Sequence, residues 1–288
     1  MQAATLIAPA KINLHLEILG LRDDGYHELR TLFYPVPLPC DLIEVMPSPD
    51  HDFYIRCAQR PELETTSNIL YKAWKAFGEA TGFRPGIFVA LTKRIPMGGG
   101  LGGGSSDAAA LLKWLNLEAG DKGLPLQALI ALAAKLGADV PFFLLDGPAW
   151  AGGIGEELTP AEVDLSGATL ILACPDIHVD TAWAFRAWDG KYATANAHES
   201  LTSDRGGTKN PSPVSPREMT NDFEPIVFEE HPSLRDIKQT LLNHGAEHAA
   251  MSGSGASLFG IYRDRGSATS AVQALEKQGI EIFQVDCP

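Results

Sequence analysis

The chain has 288 residues, of which 45% are hydrophobic and 20% charged, a balance that suits a soluble globular protein with a sizeable core, in one large domain or two ordinary ones. Its 36 acidic residues outnumber 23 basic ones, for a net charge of -13; that field repels polyanions, which argues against duplex nucleic acid and anionic membranes as partners and requires any phosphate site to be built locally. Cys40, Cys57, Cys174 and Cys287 lie far apart without Cys-x-x-Cys spacing, which argues against structural zinc and a dense disulfide framework. The residues before Lys11 lack the basic segment and cleavage signature of a secretory signal, and no apolar run reaches the ~20 residues of a membrane span. A reducing, cytoplasmic setting is therefore expected.

In chain order, residues 11 to 18 (KINLHLEI) alternate apolar and polar side chains, which predicts a half-buried strand with Lys11 and Asn13 on its polar face. Asp24-Gly25 marks a turn, and LIEV (42 to 45) and FYIR (53 to 56) read as further strands. Asn68 is placed to open a helix, since Ile69, Leu70, Ala73, Trp74 and Phe77 follow at helical spacing. The β-type run 86 to 96 leads into GGGLGGG (98 to 104), and Ser105, Ser106 and Asp107 form a capping cluster ahead of a helix from Ala108 to Leu117. Leu126, Leu129, Ile130 and Ala133 predict another helix, after which Asp139 is placed to cap the short apolar segment FFLL (142 to 145).

Turn-forming residues from Glu157 to Ser166 suggest a boundary near residue 160, which divides the chain into domains 1–160 and 161–288. Beyond it, TLILAC (169 to 174) is a strand and the Ser-, Pro- and Gly-rich stretch 202 to 216 a mobile loop. Helices over Leu234 to Leu242 and Ala268 to Lys277 alternate with strands over Leu258 to Tyr262 and Ile280 to Val285, as in a small α/β sandwich.

The tract PMGGGLGGGSSD (96 to 107) places six glycines and two hydroxyls ahead of a helix. Residues without side chains let backbone N–H groups converge on an anion, and the helix N-terminus adds partial positive charge, so the tract reads as a phosphate site. Gly98, Gly100 and Gly103 formally fit the dinucleotide fingerprint, but no short βαβ start with a downstream acid accompanies them. The P-loop pattern fails because Gly104 stands where a lysine is required. A second small-residue loop, MSGSGASLFG (251 to 260), offers backbone donors from another direction. Phosphoryl transfer to an alcohol also needs a proton acceptor and a cation, for which Asp139 and Lys11 are candidates. Spacing alone leaves open whether Asp139 is a helix cap and Lys11 a solvated strand residue.

Five blocks carry a resemblance: PAKINLHLEILG (9 to 20), DGYHEL (24 to 29), the glycine tract, LGADVPFFL (136 to 144) and MSGSGASLFG. In this order they resemble the signature blocks of the GHMP kinase superfamily, over nearly the whole chain. The resemblance implies an α+β fold of two domains, an N-terminal ATP-binding domain and a C-terminal ferredoxin-like α/β sandwich, with the active site between them. It implies transfer of the ATP γ-phosphate to the 2-hydroxyl of diphosphocytidyl methylerythritol, in non-mevalonate isoprenoid synthesis, with Mg2+ expected. DGYHEL and GADVP favour that acceptor over homoserine or mevalonate.

By the same resemblance Asp139 is the catalytic base and Lys11 the orienting cation. Pro96, Met97, Gly98, Gly99, Gly100, Leu101, Gly102, Gly103, Gly104, Ser105 and Ser106 form the ATP phosphate loop, and Asn68 and Lys93 contact adenosine. Tyr26, His27 and Asn13 serve the cytosine, whose ring and edge suit an aromatic face and an imidazole. A second aromatic is expected within HVDTAWAF (178 to 185), either Phe185 or Trp183. Leu21 precedes Arg22 where the pattern usually has another basic residue, so charge support for the substrate diphosphate is either weaker or comes from elsewhere. No acidic cluster identifies magnesium ligands, and Ser105 is a candidate.

Overall fold

The computed structural model describes residues 1–196 and 219–287; the loop expected at 202 to 216 lies outside them. Two long strands, β1 (Ala4–Leu21) and β2 (His27–Pro47), pair with each other. The turn joining them rests on Gly25 at φ +84°, a left-handed conformation that glycine adopts without strain. There the Arg22 N–H donates to the Tyr26 carbonyl at 2.7 Å. After β3 (Phe53–Arg56), α1 (Ile69–Thr81) starts where the Asn68 side chain accepts the Leu70 N–H, and it stops at left-handed Gly82. Next come β4 (Ile87–Thr92), α2 (Gly103–Glu118), α3 (Leu126–Ala134) and a short 3-10 turn over Pro141–Leu144. The remainder is β5 (Ala149–Gly152), β6 (Glu157–Pro160), β7 (Thr169–Cys174), α4 (Thr181–Asn196), α5 (Glu224–Glu230), α6 (Pro232–Asn243), β8 (His248–Met251), β9 (Leu258–Tyr262), α7 (Arg265–Glu276) and β10 (Glu281–Asp286).

The chain folds into two compact units, each assembled from separated stretches. Unit 1 comprises Met1–Lys11, Pro35–Pro96 and Gly102–Gly147; unit 2 comprises Ile12–Tyr34, Met97–Leu101 and Pro148–Pro288. In unit 1, Leu42–Pro47 of β2 pair antiparallel with β4, which pairs parallel with β3. Buried Leu70, Trp74 and Phe77 of α1 and Leu111, Leu112 and Leu115 of α2 supply its core. In unit 2, Thr31–Phe33 of β2 pair with β5. A second sheet of unit 2 is antiparallel in the order β10-β7-β9-β8. Reached through the chain order strand, helices, two strands, helix, strand, this is the ferredoxin-like arrangement. Its core joins Ile171, Leu258 and Tyr262 of the sheet to Leu234, Ile237 and Leu241 of α6 and Leu275 of α7.

Three local expectations are corrected. The polar face of β1 is buried rather than half-exposed, with Lys11 and Asn13 each 3% accessible. Ser105, Ser106 and Asp107 do not cap α2, which begins at Gly103 after left-handed Gly102 and has no side-chain cap; they lie in its first turns. Asp139 does not cap the Pro141–Leu144 turn either, since Val140 flanks it without a side-chain cap. Sequence patterning passed over α4, α5, β5, β6 and β8. Among the described residues no helix is long and apolar enough to cross a membrane.

Candidate active site

In unit 1 a buried cation meets a carboxylate beside a helix start. Lys11, at the heart of β1, brings its ammonium to 3.4 Å from Asp139 Oδ2, with the lysine side chain 4% exposed and the aspartate 33%. The lysine stem and the Phe143 ring both press on Gly102: a Cβ there would lie 3.1 Å from Lys11 Cγ and 2.9 Å from the ring. Gly102 is thus the residue that lets this pair approach the N-terminus of α2. The first intrahelical bond is donated by Ser106, to the Gly102 carbonyl. The N–H groups of Gly103, Gly104 and Ser105 therefore have no partner within the helix, and no side chain caps them. An uncapped helix start could receive an anion. Ser106 Oγ is buried there without a hydrogen-bond partner.

The remaining residues read as nucleotide contacts in unit 1 have defined partners. Asn68 accepts from Leu70 N and donates to the Leu63 carbonyl at 2.9 Å, so its carboxamide ties the start of α1 to the 3-10 turn over Pro61–Leu63. The Lys93 ammonium lies between the carboxylates of Asp41 and Asp107. Desolvation acts against that charge, and Asp107 and Asp41 outweigh it and hold the lysine pKa above its ordinary value.

In unit 2 the early part of the glycine loop packs on the second small-residue loop. Gly100, at φ +75°, approaches so closely that a Cβ would fall 2.0 Å from the Ser252 carbonyl oxygen. Ser252 Oγ donates to the Gly100 carbonyl at 2.9 Å and Ser257 N–H to that of Gly99 at 3.2 Å. Ser252 Oγ also accepts the Asn13 N–H, while the Asn13 amide donates to Thr31 Oγ1 at 2.7 Å. Asn221, which the sequence patterns did not single out, holds the second loop by donating to the Met251 and Gly253 carbonyls at 2.7 and 2.8 Å.

Also in unit 2, an aromatic group surrounds His27. Its imidazole stacks on Phe185 with centroids 4.6 Å apart and planes 18° apart, meets Trp188 edge-on, and places Nε2 2.7 Å from Asp189 Oδ1. Of the two candidate aromatics, Phe185 touches His27, whereas Trp183 faces His231 at 6.3 Å. Tyr26 precedes His27 in the turn and is 60% exposed. The Arg22 guanidinium is held by Asp24 and Glu28.

A buried cation, a carboxylate and an uncapped helix start within one unit are groups that phosphoryl transfer to a small molecule can use. Residues 68–147 match the model of the GHMP kinases N terminal domain and residues 214–281 that of the GHMP kinases C terminal region. Similar curated proteins include the 4-diphosphocytidyl-2-C-methyl-D-erythritol kinases of Oleidesulfovibrio alaskensis, 41% identical over 97% of both chains, and of Nitratidesulfovibrio vulgaris, 43% identical over 98% of both. A crystal structure of 4-(cytidine 5'-diphospho)-2C-methyl-D-erythritol kinase superposes with a TM-score of 0.78 at 31% identity, covering 98% of each chain. The chain belongs to the GHMP kinase family, in its 4-diphosphocytidyl-2-C-methyl-D-erythritol kinase branch.

Proposed function

We propose that this kinase transfers the γ-phosphate of ATP to the 2-hydroxyl of 4-diphosphocytidyl-2-C-methyl-D-erythritol, yielding the 2-phosphate and ADP for non-mevalonate isoprenoid synthesis. Full-length identity of 41–43% to relatives named for that acceptor is the observation that carries this reading. Asp139 accepts the hydroxyl proton, and the Lys11 ammonium, 3.4 Å from that carboxylate, lowers the cost of the alkoxide that develops as the proton leaves. Residues 96–106 hold the phosphates through backbone N–H groups, which need no side-chain movement to receive charge. Asn68 and Lys93 lie on the nucleotide side of this reading. Tyr26, His27, Asn13 and Phe185 receive the cytidine end, for which stacking and imidazole hydrogen bonding are apt.

Magnesium bound to the nucleotide supplies charge neutralisation on the phosphates. The residues present fit such an ion: Mg2+ takes few protein ligands and relies on phosphate oxygens, and the hydroxyls of Ser105 and of partnerless Ser106 at the start of α2 would hold it. We take 1–160 as the nucleotide domain and 161–288 as the acceptor domain, a division supported by family matches on either side of it. A cytoplasmic setting fits the four free, buried thiols.

The test is magnesium-dependent ADP release with the cytidine acceptor, beside homoserine, mevalonate and no acceptor. Release confined to the cytidine compound is expected; release with another alcohol would overturn the acceptor, and none at all the activity.

A further inference from the structure

Three charged side chains of unit 1 meet at the two ends of the glycine loop, and the chemistry above gives them no task as a group. Asp41 on β2 is completely buried. Its Oδ1 accepts the backbone N–H groups of Arg94 at 2.5 Å and Ile95 at 2.9 Å, the residues that lead into the loop. Its Oδ2 accepts from the Lys93 ammonium and lies 3.3 Å from where a Cβ of Gly103 would stand, so the same carboxylate also abuts the first residue of α2. The ammonium donates onward at 2.8 Å to Asp107, in the second turn of α2. One lysine and two aspartates thus join the end of the strand segment before the loop to the helix after it.

Packing alone does not account for burying such a group. An ammonium and two carboxylates give up hydration that apolar side chains of similar volume would never have had. Burial pushes the Asp107 carboxyl up to about 7, against the pull of Lys93, and its Oδ1 is buried without a partner. What the charges add over apolar contacts is direction, because each hydrogen bond fixes one backbone group or one neighbour. The loop between them needs direction: its four glycines, Gly98, Gly99, Gly100 and Gly102, have wide conformational freedom, and backbone donors bind phosphate well only when they are already in place.

We propose that Asp41, Lys93 and Asp107 are positioning residues that clamp both ends of the glycine loop and pre-set its backbone donors for the ATP phosphates. The clamp rests on the reading of that loop as the phosphate site, and it gives Lys93 a task other than contact with adenosine. Asp41 acts entirely through others, since full burial keeps it from the nucleotide.

The test uses the full chain with Asp41→Asn, Lys93→Met, their double variant and the milder Asp107→Asn, which keeps an acceptor for Lys93. An asparagine at 41 cannot accept from two backbone N–H groups and an ammonium at once. Backbone hydrogen exchange is followed over residues 94–107 without nucleotide, together with KM for ATP and for the cytidine acceptor. Asp41→Asn and Lys93→Met are expected to speed exchange in that segment at least ~10-fold with β7 and β9 unchanged, and to raise the ATP KM at least ~10-fold with the acceptor KM unchanged. The double variant is expected to be no worse than either single one, as for groups acting as a unit. Unchanged exchange in folded Asp107→Asn and Lys93→Met overturns the clamp, and so does a general rise in exchange with both KM values raised alike. Faster local exchange with an unaltered ATP KM upholds the clamp and removes phosphate binding from the loop. Should Asp41→Asn fail to fold, the other two variants decide.

Discussion

Gly100 in the loop and Gly104 in the first turn of α2 are four residues apart, yet replacing each by alanine is expected to have opposite effects. At Gly100 the added methyl would fall 2.0 Å from the Ser252 carbonyl oxygen, 2.9 Å from its carbon and 3.3 Å from the Gly255 carbonyl oxygen, all backbone atoms that no rotamer change can move away. Alanine at φ +75° costs about 1–2 kcal/mol before any clash is counted. Parting the loops also breaks the bonds from Ser252 Oγ to the Gly100 carbonyl and from Ser257 N–H to that of Gly99, each worth ~1 kcal/mol. The total is a loss of at least about 3 kcal/mol. At Gly104, inside α2, the nearest atom is Ile69 Cγ2 at 3.9 Å, so Gly104→Ala is expected to be neutral or to stabilise by up to about 0.5 kcal/mol through helix propensity. Urea denaturation of both variants beside the parent protein gives the comparison. A Gly100→Ala variant within ~1 kcal/mol of the parent, or equal shifts in the two, would refute the close packing of the two loops.

Other outcomes follow from the same geometry. Asp139→Asn is expected to lower turnover by at least ~10²-fold with ATP affinity nearly unchanged; full activity would leave Asp139 only as a partner for Lys11. Tyr26→Ala should leave stability unaltered, since the ring is 60% exposed, and weaken the cytidine acceptor by about 1–3 kcal/mol, as base stacking does; an unchanged acceptor KM would remove Tyr26 from the site. Burial, with Lys238 nearby, holds the His248 imidazole down at about 4 against an ordinary 6.5. An unfolded chain therefore takes up a proton below pH 6.5 that the folded one refuses until about pH 4, so stability falls as pH drops through that window, by about 3 kcal/mol in all, and is unaffected above it. Denaturation at pH 7 and 4.5 is expected to show His248→Gln losing about 2–3 kcal/mol less on acidification than the parent, and equal losses would exclude His248 as the cause.

What the sequence disclosed was what neighbouring residues determine together. Asn68 opening α1 is a cap two residues from its target, and β7, β9 and β10 of the ferredoxin-like sheet announce themselves as short apolar runs, whereas the four-residue β8 does not. The start of α2 misled because glycine is a poor helix former, and Gly103 is helical for the sake of close approach to Ile95 and Asp41 rather than by propensity. Asp139 resembled a cap because its actual neighbour, Lys11, stands at the other end of unit 1 in sequence. The same separation hid Asn221, whose acceptors are 30 and 32 residues away, and the tie from Lys93 to Asp41, 52 residues apart. Periodicity carries no information about such pairs.

The bond from Asn13 to Ser252 spans 239 residues of chain, and it has a consequence for how the protein is made. At about 5–20 residues per second, a ribosome that has delivered Asn13 needs on the order of 10–50 seconds to deliver Ser252. Throughout that interval the second half of β1 exists without the loop that completes it, with Leu16 and Ile18, which share a buried core with Met251, Ala256 and Leu258, open to whatever the crowded nascent environment presents. Contacts this distant also slow folding after release. Yield from overexpression should accordingly depend on translation speed and chaperone supply more than the stability of the finished molecule would suggest.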